Sequence, residues 1–219
     1  MRKKTFQIEV SPETGSVTAI YMSPAKPACI LTLAHGAGAG MQHVFMETLA
    51  ESLSKAGIAT LRFNFPFTEQ QKKRPDSPAV AQAAIAAAIQ KAQSLAPGIP
   101  LFAAGKSFGG RMTSQYISTH PDSPVQGIIF FGFPLHAAGK PSTDRAVHLQ
   151  AIKIPMLFLQ GSRDTLATWD LIASVCQSLP TATLVRLEGA DHSFKAGKTD
   201  VIALLTAETK RWTDAVANS

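Results

Sequence analysis

A chain of 219 residues, 45% hydrophobic and 16% charged, can bury one sizeable core and lacks the low-hydrophobicity, high-charge signature of disorder. The net charge of +6 is scattered apart from clusters at 2–4 and 72–74; neither is interleaved with stacking aromatics, which argues against nucleic acid and for a solvated surface. Two cysteines exclude a disulfide framework, and the longest apolar run, 127–135, falls far short of the roughly 20 residues that span a bilayer.

Residues 2–4 imitate the basic start of a signal peptide, but Gln7, Glu9 and the Ser11-Pro12-Glu13 turn interrupt any apolar run, so a cytoplasmic protein with no membrane association is expected. The segments 5–10 and 17–22 read as an opening hairpin around Glu13-Thr14-Gly15. Apolar strands then alternate with longer helical stretches, the pattern of a mostly parallel sheet covered by helices on both faces. Strand 28–34 leads through a Gly-rich loop to a helix over 42–55, which Gly57 ends. Strand 58–63 and a long polar loop, 65–78, precede an alanine-rich helix over 79–95 that Pro97-Gly98 stops. A short strand, 101–104, runs into Gly105-Lys106-Ser107-Phe108-Gly109-Gly110 and a helix to about Thr119. Strands at 127–132, 156–159 and 183–187 and helices at 166–179 and 199–216 complete a single domain over 1–219. The segment 134–154 is too short for a large lid. Cys29 and Cys176 fall inside a strand and a helix and read as structural thiols.

Gly105-Lys106-Ser107-Phe108-Gly109 fits G-x-S-x-G, and its place between strand and helix is the context a nucleophile elbow needs. Two decoys fail. A P-loop ending in Gly105-Lys106-Ser107 requires glycine at position 100, which is Pro100. The run Gly36-Ala37-Gly38-Ala39-Gly40 misses G-x-G-x-x-G because Met41 stands at the last position. Neither a nucleotide cofactor nor any other cofactor or metal is expected.

A serine hydroxyl attacks only when an imidazole takes its proton and a carboxylate orients that imidazole. Chain order in such folds is Ser, then Asp or Glu, then His. Asp164 follows one strand and His192 follows the next. Asp144 is the rival acid, Asp191 neighbours His192 and should point elsewhere, and the other five histidines read as loop or surface residues, with His35 bracing its loop. An oxyanion needs converging backbone N–H donors; the N–H of Phe108 is one, with Ala37 as first choice and Gly38 as second for the other.

With these residues placed, the chain resembles the α/β-hydrolase superfamily along nearly its whole length, closest to the compact dienelactone-hydrolase-like branch. The motifs Leu33-Ala34-His35-Gly36-Ala37-Gly38, Arg62-Phe63-Asn64-Phe65-Pro66-Phe67 and 105–110 resemble a sub-branch of testis-expressed and histone-acetyltransferase-complex relatives. The resemblance implies an α/β-hydrolase fold with about eight strands and minimal or no cap. It also implies a cofactor-independent serine hydrolase in which Ser107, Asp164 and His192 act on a small ester or related acyl substrate. Dienelactone hydrolases carry cysteine where Ser107 stands, so their substrate is not inherited. Arg62, Lys72, Lys73, Arg74, Lys106 and Arg111 flank the expected site loops and would favour an anionic substrate. The competing class is a binding module that keeps the geometry without turnover.

Overall fold

In the computed structural model, which describes residues 1–218, the strands that are apolar on both faces are the ones buried on both faces. β3 (Cys29–Ala34), β4 (Ile58–Phe63), β6 (Ile128–Phe131) and β7 (Met156–Gly161) are buried at every position, as parallel strands between two helical layers must be. β1 (Arg2–Ser11) and β2 (Gly15–Ser23) form the antiparallel hairpin, closed at Gly15 with φ +79°. With β5 (Leu101–Lys106) and the half-exposed β8 (Ala182–Leu187), these form one eight-stranded sheet in the order β1-β2-β4-β3-β5-β6-β7-β8. The pairs β1/β2 and β2/β4 are antiparallel and all others parallel.

Alternate residues of each strand serve opposite cores. Ile128, Phe130, Met156 and Phe158 join the layer of α3 (Pro78–Leu95), α4 (Phe108–Thr119) and α5 (Trp169–Gln177). Ile129, Phe131, Leu157 and Leu159 face α1 (Val44–Lys55) and the C-terminal helix (Val201–Ala217). This period of two is what the pleat imposes. The chain passes from β3 outward to β4, then back across to β5. The crevice at the carboxyl ends of β3 and β5 is therefore the topological switch point, the place where such sheets bind ligands.

The expected polar loop 65–78 contains one helical turn, Pro66–Glu69 (α2, which makes the C-terminal helix α6). Its Glu69 carboxylate accepts from Asn64 Nδ2 nearby and from Thr18 N–H and Oγ1, the last two long-range bonds that no local periodicity announces. A 3-10 helix over Asp144–Ala151 was likewise not expected. α1 starts at Val44 because His43 Nδ1 accepts the Phe45 N–H at 3.2 Å and caps it. α5 starts at Trp169, after a Thr168 whose ψ of 129° is outside the helical range. Cys29 and Cys176 are buried free thiols, pushed up by burial to about 11 and about 12. Among the described residues no helix is long and apolar enough to cross a membrane.

Candidate active site

β5 ends at Lys106 and α4 begins at Phe108, so Ser107 alone makes the turn, with φ +51° and ψ −116°. A non-glycine residue holds such a conformation only when its surroundings force it. Here the forcing is close packing: a Cβ on Gly105 would lie 2.3 Å from Gly110 N, and one on Gly109 would lie 2.5 Å from Ala34 O. Helix, β5 and the end of β3 thus approach to distances only glycine permits. Ser107 N–H donates to Phe131 O and Arg111 N–H to Ser107 O, which pins the turn to β6 and to the first turn of α4.

The loop after β8 brings His192 to Ser107. Asp191 Oδ1 accepts the N–H groups of Ser193 and Lys195, so this neighbouring acid shapes the loop and does not meet the His192 ring. A Cβ at Gly161 would lie 2.3 Å from Ala190 O, so the end of β7 and the β8 loop touch, with Asp164 and His192 on either side of the contact. His192 Nε2 is 2.8 Å from Ser107 Oγ, and Nδ1 is 2.7 Å from Asp164 Oδ2. The Asp164 side chain is 1% exposed and that of His192 22%.

Asp164 is itself held. Gln160 Nε2 donates to Oδ2 at 2.6 Å and the Leu166 N–H to Oδ1 at 2.8 Å. Gln160 Oε1 in turn accepts the Phe133 N–H. A carboxylate so placed accepts from Nδ1–H, leaving the Nε2 lone pair toward the serine hydroxyl. Asp144, the rival acid, sits exposed at the start of the 3-10 helix, its N–H bonded to Ser142 Oγ.

Ser107 and His192 open into a cleft of about 360 Å³ lined also by Gly36, Ala37 and Gly38, with Phe45, Met46 and Leu166 as its apolar wall. That is the small end of the range for small-molecule sites. A Cβ on Gly36 would lie 3.7 Å from Ser107 Cβ, which places the Gly-rich loop directly against the elbow. Phe108 N–H belongs to the first turn of α4, where donors lack helical partners. His35 is fully buried beneath this loop. Its Nδ1 donates to Gly36 O and its Nε2 accepts the Phe65 N–H, so it clamps the β3 loop to the segment after β4. Burial pushes it down to about 4, which keeps it neutral.

The six basic residues considered from sequence separate. Arg62 is fully buried, donating to Met41 O and paired with Glu47. Residues 72–74 are exposed and Arg111 is half-buried, and none of these four lines the cleft. Lys106 does line it, donating to His192 O, with its Nζ 4.8 Å from the Phe194 ring centre and 5.9 Å from that of Phe45. Burial outweighs the attraction of Asp164 and Asp191 and lowers Lys106 to about 8. Sequence reasoning missed Gln160, although a glutamine closing the apolar run Met156-Leu157-Phe158-Leu159 was a visible signal. His136, read as a loop or surface residue, does lie in a loop, but its ring is buried, with Nε2 accepting the Thr168 N–H. Among the described residues no three His, Cys, Asp or Glu side chains gather as a metal site.

Comparison with known proteins follows the same geometry. A family model described as an alpha/beta hydrolase domain matches residues 27–218. Est1E from Butyrivibrio proteoclasticus, solved with ferulic acid bound, superposes with a TM-score of 0.79 at 15% identity, over 98% of this chain and 100% of that one. An α/β serine hydrolase without lid from Xanthomonas campestris gives 0.77 at 21% identity, over 97% and 95%. A dienelactone hydrolase from Anabaena variabilis gives 0.75 at 18% identity, over 98% and 99%. At these identities the likeness is one of fold.

Proposed function

The chain belongs to the alpha/beta hydrolase domain family, and we propose that it is a cofactor-independent serine hydrolase that cleaves a small ester or related acyl compound through an acyl-enzyme. The observation that carries this reading is the unbroken relay Asp164–His192–Ser107, with bonds of 2.7 and 2.8 Å, opening on a cleft. Ser107 Oγ attacks the acyl carbon while its proton passes to His192 Nε2. Asp164 stabilises the imidazolium, which then protonates the departing alkoxide. Water then bonds the acyl carbon as it gives its proton to Nε2, and the imidazolium returns that proton to Ser107 Oγ as the acyl–oxygen bond breaks and the acid leaves. The tetrahedral oxyanion lies between the N–H of Phe108 and that of Ala37, with Gly38 as the second candidate donor. The neighbours named as a serine hydrolase and a dienelactone hydrolase support the class, and the small cleft supports a small acyl group.

The three motifs that resemble testis-expressed and histone-acetyltransferase-complex relatives pack together: Gly109 meets Ala34 and His35, and His35 holds Phe65. A fluorophosphonate probe tests the reading: it labels the purified protein stoichiometrically, and Ser107→Ala abolishes labelling. Label that persists in Ser107→Ala removes Ser107 as nucleophile, and a parent protein inert to both probe and p-nitrophenyl acetate favours a binding module.

A further inference from the structure

Lys106, the last residue of β5, immediately precedes the nucleophile, and its side chain takes no part in the relay of protons. Successive residues of a strand face opposite sides of the sheet. Gly105 packs on Gly110 of α4, so Lys106 points to the other side, where Phe194 belongs to the core that faces α1 and the C-terminal helix and Phe45 packs against it. There the ammonium donates to the His192 carbonyl at 2.5 Å and lies 4.8 Å from the ring centre of Phe194 and 5.9 Å from that of Phe45. A Cβ built on Gly132, just beyond β6, would meet Lys106 Nζ at 3.3 Å, Phe194 Cζ at 3.6 Å and Asp164 Oδ2 at 3.7 Å. Ammonium, ring and carboxylate therefore converge on one point that only a glycine leaves free.

The loop that carries His192 needs such a hold. Phe194, two residues further on, has φ +63° without being glycine, a conformation that persists only where the surroundings impose it. Its buried ring stacks on Phe45 at 5.5 Å with the planes 11° apart, and Lys106 lies over the same ring. A charged donor on a carbonyl is roughly twice as strong as a neutral one, and an ammonium held over an aromatic face adds to it. One side chain thus ties the backbone of the base to the turn that presents the nucleophile. The charges that act on this ammonium are Asp164 beyond β7 and Asp191 in the His192 loop, and both favour its protonated form; burial outweighs them and lowers Lys106 to about 8. His43 and His192 line the same cleft, whereas Gly36, Phe45 and Gly132 bring no charge to it.

We propose that Lys106 is a positioning residue for the hydrolytic reaction: its ammonium fixes the His192 loop to the end of β5 and so keeps the imidazole in line with Ser107. This rests on the serine-hydrolase reading above. In Lys106→Met, which keeps the length and removes the charge, kcat for p-nitrophenyl acetate falls about tenfold while KM stays within about twofold. The parent kcat/KM declines as pH rises through about 8, where Lys106 gives up its proton. That limb is absent in Lys106→Met and kept in Lys73→Met, an exposed lysine away from the cleft. Lys106→Cys treated with bromoethylamine, which rebuilds an ammonium of the same reach while Cys29 and Cys176 stay buried, regains the parent kcat. An unchanged kcat, an alkaline limb that persists in Lys106→Met, or a loss that the aminoethyl group does not restore overturns the role. If the parent turns over no ester, the hydrolase reading fails on its own account and hydrogen exchange decides for Lys106. Amides of residues 190–195 exchanging about tenfold faster in Lys106→Met, with those of β4 at parent rates, support the hold on the loop; parent rates at 190–195, or an equal rise in β4, overturn it.

Discussion

Asp164 has four oxygen–donor relationships to satisfy with one carboxylate, and three are met by His192, Gln160 and the Leu166 N–H. Asp164→Asn preserves the shape but presents an amide where Nδ1–H must donate, so His192 takes the wrong tautomer; kcat for p-nitrophenyl acetate falls about 10⁴-fold, and near-parent turnover would transfer the role elsewhere. The strain at Ser107 predicts a second outcome. Ser107→Gly, free to occupy φ +51°, unfolds in urea with about 1 kcal/mol more stability than Ser107→Ala. Ser107, Asp164 and His192 were readable in the sequence because a short motif and a fixed chain order locate them. Gln160 was not, because its importance depends on a side chain reaching between two strands, and Lys106 was read as one of six basic residues flanking the site loops, with nothing to show that its ammonium folds against His192 O and two phenyl rings.

At the level of elements, the elbow depends on the distances that Gly105 and Gly109 allow. Gly109→Ala drives a methyl into the Ala34 and His35 carbonyls and costs about 2–4 kcal/mol in urea unfolding; a loss under about 0.5 kcal/mol would mean that α4 does not press on the end of β3 as described. β4, β7 and α3 were legible to within two residues of their ends, since each has a clean period and strong stops. α2 and the 3-10 helix were not: each is too short for periodicity, and what holds α2 is Glu69 reaching Thr18 across 51 residues of chain.

Across the whole molecule, the sheet order places every proposed catalytic group at the carboxyl ends of β3, β5, β7 and β8. The alternation of strands and helices announced a parallel sheet, but the antiparallel seam between β2 and β4 is a long-range pairing that sequence alone does not register. The buried His35 and the half-buried His148, whose Nε2 lies 2.8 Å from Ser114 Oγ, tie this architecture to pH. His35 and His148 are held near 4, against an ordinary 6.5, mainly by burial. Below 6.5 the unfolded chain binds protons that the folded chain refuses, so stability is lost as pH falls from 6.5 toward 4, by about 2 kcal/mol at pH 5 for His35 and by less for the more exposed His148, which solvent screens. His148→Gln, which keeps a polar group near Ser114, flattens the fall in urea midpoint between pH 7 and 5; an equally steep fall would show that His148 titrates normally. The central claim is that Ser107 carries the acyl group. Rapid-quench mass spectrometry during turnover of p-nitrophenyl acetate places the acetyl group on the peptide containing Ser107, and none forms in Ser107→Ala. Acetyl mapped to another residue, or undiminished turnover in Ser107→Ala, would contradict it.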